Sequence, residues 1–242
     1  MRFDEKSGLV NYRVFDSQSK DFAVGTIADI DIEYRHGVPF LLGQGKDSRK
    51  QLLLLHSQYF VMAFWPGRTS WFFGATDAVR IQGVVTGGPE GYTASSELAE
   101  DSSVYSASNL RKPNPSTPWC EGVSGPGSGE TIAVSWRSGK GVEYRGNIRS
   151  LIIGNGFVSY EKPYLYTANA RAETLRITNE ARTFETRYVL EDSPSPQIVE
   201  LPEPTDNVRI EILKTFPGER WDDLCVNFIW GMDQAKPNTL KE

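Results

Sequence analysis

Between residues 206 and 216 the side chains alternate: Val208, Ile210 and Ile212 fall on one side, Arg209 and Glu211 on the other. Only an extended strand sorts residues this way, because successive Cβ atoms of a strand point to opposite faces. The rhythm returns at Ile132, Val134 and Trp136, at Leu175 and Ile177, and more loosely at Phe184 and Tyr188. Apolar runs at 149–154, with Leu151, Ile152 and Ile153, at 196–201 and at 223–230 add further strands. No segment carries a competing helical period. The 22 Gly and 14 Pro supply the turns that such short strands need. The chain is therefore expected to be all-β, with a C-terminal sandwich or jelly roll.

The first 85 residues read as strands as well, over 9–15, 22–34, 38–42, 71–75 and 78–85. Within 22–34, Ile30, Ile32 and Tyr34 oppose Asp29, Asp31 and Glu33. The apolar run 52–65 is broken by His56-Ser57-Gln58 and predicts two buried strands around a tight connection, with His56 a turn residue rather than a ligand or base. The segment Thr86-Gly87-Gly88-Pro89-Glu90-Gly91 holds almost no apolar side chain and marks a boundary. The expected organisation is a small N-terminal β-rich domain over 1–86, a linker over 87–92, a sandwich over 93–235 and a tail over 236–242. One sandwich with a large N-terminal β-extension is the alternative.

A net charge of -5 and a pI near 5.3 leave no basic field for nucleic acid. No apolar run approaches the ~20 residues that span a bilayer, and the opening Met1-Arg2-Phe3-Asp4-Glu5-Lys6 is not an export signal. Cys120 and Cys225 are either two buried thiols or a disulfide tying a loop to the last strand. Two Cys and two His, none at CxxC or HxxH spacing, predict neither a structural zinc site nor a nucleophile–base triad. No metal and no cofactor are expected.

The punctuated region 112–129 is too long to be an idle hairpin turn, and long loops on a rigid β-scaffold are where binding tends to sit. Around it runs an ordered series of motifs. Ala94-Ser95-Ser96-Glu97-Leu98 leads, followed by Tyr105 and Ala107 ahead of Asn109-Leu110, then Thr117-Pro118-Trp119 with Glu121-Gly122. Gly125-Pro126-Gly127-Ser128-Gly129-Glu130, Gly154-Asn155-Gly156-Phe157 and Asn169-Ala170-Arg171 come next. Leu190-Glu191-Asp192, Phe216-Pro217-Gly218 and Asp223-Leu224-Cys225-Val226 complete it. From about residue 93 to 231 this series resembles the glycan-binding, translocation-type domain of streptococcal NAD glycohydrolase, a discoidin-like jelly roll of the galactose-binding superfamily. The resemblance brings no NAD-cleaving chemistry, which belongs to a separate domain. Two departures are visible. Arg111-Lys112-Pro113 stands where the family tends to have Asp-Gly, removing a carboxylate that a Ca²⁺ would want. Asn227-Phe228 stands where a Glu is usual in the last strand.

The resemblance implies a non-catalytic module for a glycan or glycoconjugate, in a secreted, periplasmic or surface-anchored protein. A protein–protein module, with a partner on the N-terminal domain, and a glycoside-processing enzyme are the other readings. Sugars are held by aromatic faces and by planar polar groups that fix hydroxyls. The candidate contacts are Trp119, Glu121, Glu130, Asn155, Tyr164, Asn169 and Arg171. Each has a structural counterpart. Trp119 can plug its loop, Asn155 can form a turn at positive φ, Glu130 can pair with Arg171, and Arg171 can hold a loop. Glu121 and Glu130 are the only loop carboxylates near this site, and a glycosidase needs such a pair flanking the sugar.

Overall fold

The computed structural model describes side chains over residues 91–100, 103–111, 117–137, 147–159 and 162–232, with His36. Elsewhere it describes strand backbone over 2–4, 9–15, 21–35, 38–45, 51–56, 61–65, 68–74, 83–85 and 233–234. The chain divides into two compact units, Met1–Ile81 and Gln82–Glu242.

The first unit is one antiparallel meander in which each strand pairs with the next. Its strands are β1 (Arg2–Asp4), β2 (Leu9–Phe15), β3 (Asp21–Arg35), β4 (Val38–Gly45), β5 (Gln51–His56), β6 (Val61–Trp65) and β7 (Arg68–Gly74). The apolar run 52–65 divides into β5 and β6, but His56 is the last residue of β5, opposite Val61, and not a turn residue; 57–60 lie outside the described residues. Of the strand expected over 78–85, residues 83–85 are extended and 78–82 lie outside the described residues.

The second unit begins with β8 (Gly83–Val85), β9 (Gly91–Ala94), a hairpin of β10 (Leu98–Glu100) and β11 (Ser103–Tyr105), and a 3-10 turn over Ala107–Arg111. There follow β12 (Trp119–Cys120), β13 (Thr131–Ser135), β14 (Ile148–Asn155), the short helix α1 (Leu165–Ala168) and β15 (Ala170–Thr178). The unit closes with β16 (Glu185–Val189), β17 (Gln197–Thr205), β18 (Asn207–Phe216) and β19 (Leu224–Gln234). The expected linker over 87–92 falls between two strands of this unit. β8 already pairs with β19, and β9 opens at Gly91 against β13, so the sandwich starts ahead of that segment. Residues 86–90 lie outside the described residues.

Hydrogen bonding joins the strands into one continuous sheet that folds over into two layers. One runs β17-β14-β19, with β8 and β12 on the far edge of β19; the other runs β16-β15-β18-β13-β9. The layers meet through a two-residue parallel contact, Ala170 with Leu224 and Arg171 with Cys225. Between them lies the core predicted by the alternation: Ile132, Val134 and Trp136, Leu175 and Ile177, and Val208, Ile210 and Ile212, facing Leu151, Ile153, Val226 and Ile229. Each is essentially buried, a gain of about 1.5–3 kcal/mol per side chain against exposure. The fold is all-β, a jelly-roll sandwich.

The two ends of the sandwich differ. β19 starts at the parallel contact, beside β12 and the end of β14, and finishes against β8. Its 11 residues, at about 3.3 Å each, separate these ends by roughly 30 Å. The end at Leu224 gathers the long loops and is called the loop end below.

Candidate ligand-binding site

All seven residues singled out from the sequence belong to elements that meet toward the loop end, but most face inward. Trp119 is fully buried, paired in β12 with Val226 of β19, and its indole N–H donates to the Ser96 carbonyl at 3.0 Å. It plugs the loop and offers no open ring face. Cys120 and Cys225, opposite one another in the same pairing, form a disulfide.

Glu121 is also fully buried. One carboxylate oxygen accepts the Val123 N–H at 2.5 Å, the other the Leu224 N–H at 3.4 Å. Burial pushes its carboxyl up; the two backbone donors pull the other way. Glu130 does not pair with Arg171. Its carboxylate accepts the hydroxyls of Ser95 at 2.6 Å and Ser96 at 2.5 Å, and Ser96 Oγ in turn accepts the Gly122 N–H at 2.9 Å. The serines of the Ala94–Leu98 motif thus stitch β9 to the long loop. Both loop carboxylates are committed to this framework.

Asn155 does not adopt positive φ; its neighbour Gly156 does, at 74°. A Cβ at Gly156 would strike the Tyr166 ring, so only glycine fits the turn. Asn155 instead spans two strands, donating to the Ala172 carbonyl at 2.8 Å and accepting the Ala172 N–H at 3.1 Å. That satisfies both backbone groups of Ala172, where β15 slips register against β18.

Arg171 is the centre of the frame. Its Nε and Nη2 reach the two oxygens of Asp192 at 2.7 and 2.8 Å, and Nη1 reaches the Asn169 carbonyl at 2.8 Å and the Pro217 carbonyl at 3.4 Å. The guanidinium lies 5.2 Å from the centroid of the Tyr166 ring, whose hydroxyl donates to Asp192 at 3.0 Å. These bonds hold the Asp192 carboxyl below the usual carboxylate range despite desolvation. Burial raises the Tyr166 hydroxyl, which stays a donor. Asn169 caps α1 with a bond from its amide to the Leu165 carbonyl at 2.9 Å.

Outside this frame lie residues that sequence reasoning did not single out. Leu98, Tyr105 and Leu165 pack, half-buried, against Phe157 and the disulfide, with Tyr105 edge-on to Phe157 at 5.8 Å. Val104, on β11, and Val123 and Trp221, on two loops, are exposed. Tyr164, the outermost of the predicted seven, carries the Arg220 guanidinium 5.5 Å above its ring. Leu98, Tyr105 and Phe157 stand in the motif series without being read as contacts, and Trp221 is signalled by its place as an aromatic residue amid charges after Phe216-Pro217-Gly218. Among the described residues no His, Cys, Asp or Glu cluster fits a metal ion, and no helix is long and apolar enough to cross a membrane.

A two-layer jelly roll whose long loops are knitted together at one end is a discoidin-like, or F5/8 type C, fold. Residues 84–230 match the family model for the NAD glycohydrolase translocation F5/8 type C domain, and the chain belongs to that family. A comparison with curated proteins finds no match. Similar solved structures include arabinofuranosyltransferase AftD from Mycobacteria, at 16% identity and TM-score 0.43, covering 63% of this chain. The chain spans 11% of that transferase. The lectin binding domain of lectinolysin, complexed with Lewis b, matches at 10% identity and TM-score 0.42 over 64% of this chain and 100% of its own. A putative chitobiase fragment from Bacteroides thetaiotaomicron matches at 10% identity and TM-score 0.46 over 66% of this chain and 99% of its own.

Proposed function

We propose that the chain is a non-catalytic glycan-binding module acting outside the cytoplasm, with its ligand at the loop end. One observation carries this reading. The buried frame of Arg171, Asp192, Asn155, Glu121 and Glu130 fixes the loops, while aromatic and apolar side chains stand outward from them. A preorganised rim of aromatic faces with nearby polar groups suits a sugar, because little is lost in ordering it on binding. Trp119, Glu121, Glu130, Asn155, Asn169 and Arg171 act as supports in this reading, and Tyr164 as a contact. Membership of the F5/8 type C family supports it. The commitment of both loop carboxylates to backbone and hydroxyl donors argues against their service as a glycosidase pair. The disulfide suits an oxidising compartment.

The test is a broad glycan array probed with the full chain, beside a panel of chromogenic glycosides. Binding to a defined subset of glycans without turnover is the expected result. No binding anywhere on the array would remove the reading, and turnover would replace the module with an enzyme.

A further inference from the structure

The loop from Pro217 to Asp223 carries an exposed tryptophan on a backbone that cannot move freely. Glu219 N–H donates to the Thr167 carbonyl at 2.9 Å; the Arg220 and Trp221 N–H groups share the Ala168 carbonyl at 3.1 and 2.9 Å. Thr167 Oγ1 donates to the Glu219 carboxylate at 3.1 Å, and Arg171 reaches the Pro217 carbonyl. Gly218 has no room for a Cβ, which would collide with the carbonyls of Trp221 and Ala168. The loop is therefore bound to the end of α1, yet it leaves Trp221 42% exposed. Part of a large aromatic ring is thus held open to water on a fixed backbone, where a ligand can cover it without reordering the loop.

Its neighbours add polar groups of both kinds. Arg220 lies over Tyr164, a stack that orients the planar guanidinium. No carboxylate among the described residues forms an ion pair with it. Glu219 and Asp222 flank Trp221 as exposed acceptors. A guanidinium only donates and a carboxylate only accepts, whereas a hydroxyl does both. A rim offering the two together matches the vicinal hydroxyls of a sugar. A phosphate, sulfate or carboxylate accepts only, and meets three acids, Glu219, Asp222 and Asp223, against two cations, Arg220 and Lys162. That balance gives an anion no net attraction.

We propose that this loop is the ligand contact surface, with Trp221 as the stacking plane and Arg220, Glu219 and Asp222 as the hydroxyl-orienting groups, and that the ligand is a neutral sugar. The proposal rests on the glycan-binding reading and adds its contact residues and ligand class.

The experiment uses the full chain on glycans ending in neutral, sialylated, sulfated and uronate residues, and on phosphatidylcholine vesicles with and without phosphatidylserine. Neutral glycans are expected to bind and the anionic surfaces not to. Trp221→Ala should weaken binding by about tenfold or more with an unchanged melting temperature, and Trp221→Phe should retain most of it. Arg220→Lys keeps the charge, loses the planar fork and should lower affinity severalfold. Val189→Thr, an exposed position on β16, is the control and should change nothing. Neutral-glycan binding untouched by the Trp221 and Arg220 variants would overturn this surface and leave the glycan reading standing. Preference for sialylated glycans or phosphatidylserine vesicles, lost in Trp221→Ala, would overturn the ligand class. A wild-type chain that binds no glycan would overturn both readings together. If Trp221→Ala fails to fold, Trp221→Phe and Arg220→Lys decide.

Discussion

The two ends of the sandwich each hold an arginine that grips an aspartate with two nitrogens, and the two grips are not equivalent. At the loop end the Arg171 side chain is 7% exposed, and its remaining donors satisfy backbone carbonyls of α1 and of the β18–β19 loop. At the other end Arg137 binds both oxygens of Asp206 at 2.8 and 3.0 Å and Glu180 at 2.8 Å, but it is 46% exposed. The carboxylate geometry is nearly the same in both. What differs is the water that would replace the partner. Arg137 released from Asp206 is solvated at once, whereas Arg171 removed from its pocket strands carbonyls that water reaches poorly. Nearly alike pairings are therefore expected to hold the fold at one end and to add little at the other.

The largest expected effect comes from the covalent tie at the loop end. The disulfide closes a loop of 105 residues, for which chain entropy gives about 4–5 kcal/mol, with measured losses on removing native bridges of roughly 2–5 kcal/mol. Cys120→Ser combined with Cys225→Ser should lower stability within that range in denaturant unfolding under non-reducing conditions. A double variant as stable as wild type would mean that the β12–β19 pairing and the Trp119 plug suffice without it.

Next in size is Arg171→Ala. Removing one partner of a buried pair costs about 3–5 kcal/mol when the other charge is stranded. The Asp192 side chain is 40% exposed, so the loss should fall near the lower end of that range. Arg171→Lys should recover only part of it, since an ammonium cannot serve Asp192 and the carbonyls together. The pH dependence gives an independent readout. The Asp192 carboxyl titrates below its unfolded value of about 3.9, so its contribution is present above that value and is lost as pH falls through the folded one. Arg171→Ala should flatten that acid limb of the stability curve. An acid limb identical to wild type would show that Asp192 owes its shift to something other than Arg171.

These contrasts also show what could be read in advance. The half-buried strands were legible because burial on one face writes itself into a two-residue period, as in β13 and β18. The hairpin of β10 and β11, the four-residue α1 and the two-residue β12 are too short to impose any period. The candidate site was legible as a cluster of residues, and its orientation was not. Trp119, Glu121, Asn155 and Arg171 are large or polar and sit in loops, so residue type alone pointed outward. Their burial follows from partners distant in sequence: Ser96, Leu224, Ala172 and Asp192. Trp221 escaped notice for the opposite reason. It lies between two clear strands with no pattern of its own, and its exposure follows from backbone bonds to α1, an element the sequence hides.

The smallest expected effect lies at the far end and sharpens the comparison most. Arg137→Ala removes three hydrogen bonds to carboxylates, one more than the two that Arg171 makes with Asp192. Counting carboxylate bonds alone would therefore predict a loss at least as large as that of Arg171→Ala. The exposed arginine predicts about 1 kcal/mol or less although the Asp206 side chain is 14% exposed, because Asp206 keeps the bond from the Asn207 amide and a pair open to water on one side is screened by salt. The hydrogen bonds from Arg137 hold the Asp206 carboxyl below its ordinary range, so what stability the pair adds is present above about pH 3.9 and disappears as pH falls through the folded value. The measurement is unfolding of Arg137→Ala and wild type at pH 7 in low and high salt. The difference should be small at low salt and vanish at high salt. A loss that matches Arg171→Ala and persists in salt would mean that bond number, rather than access of water, governs both ends.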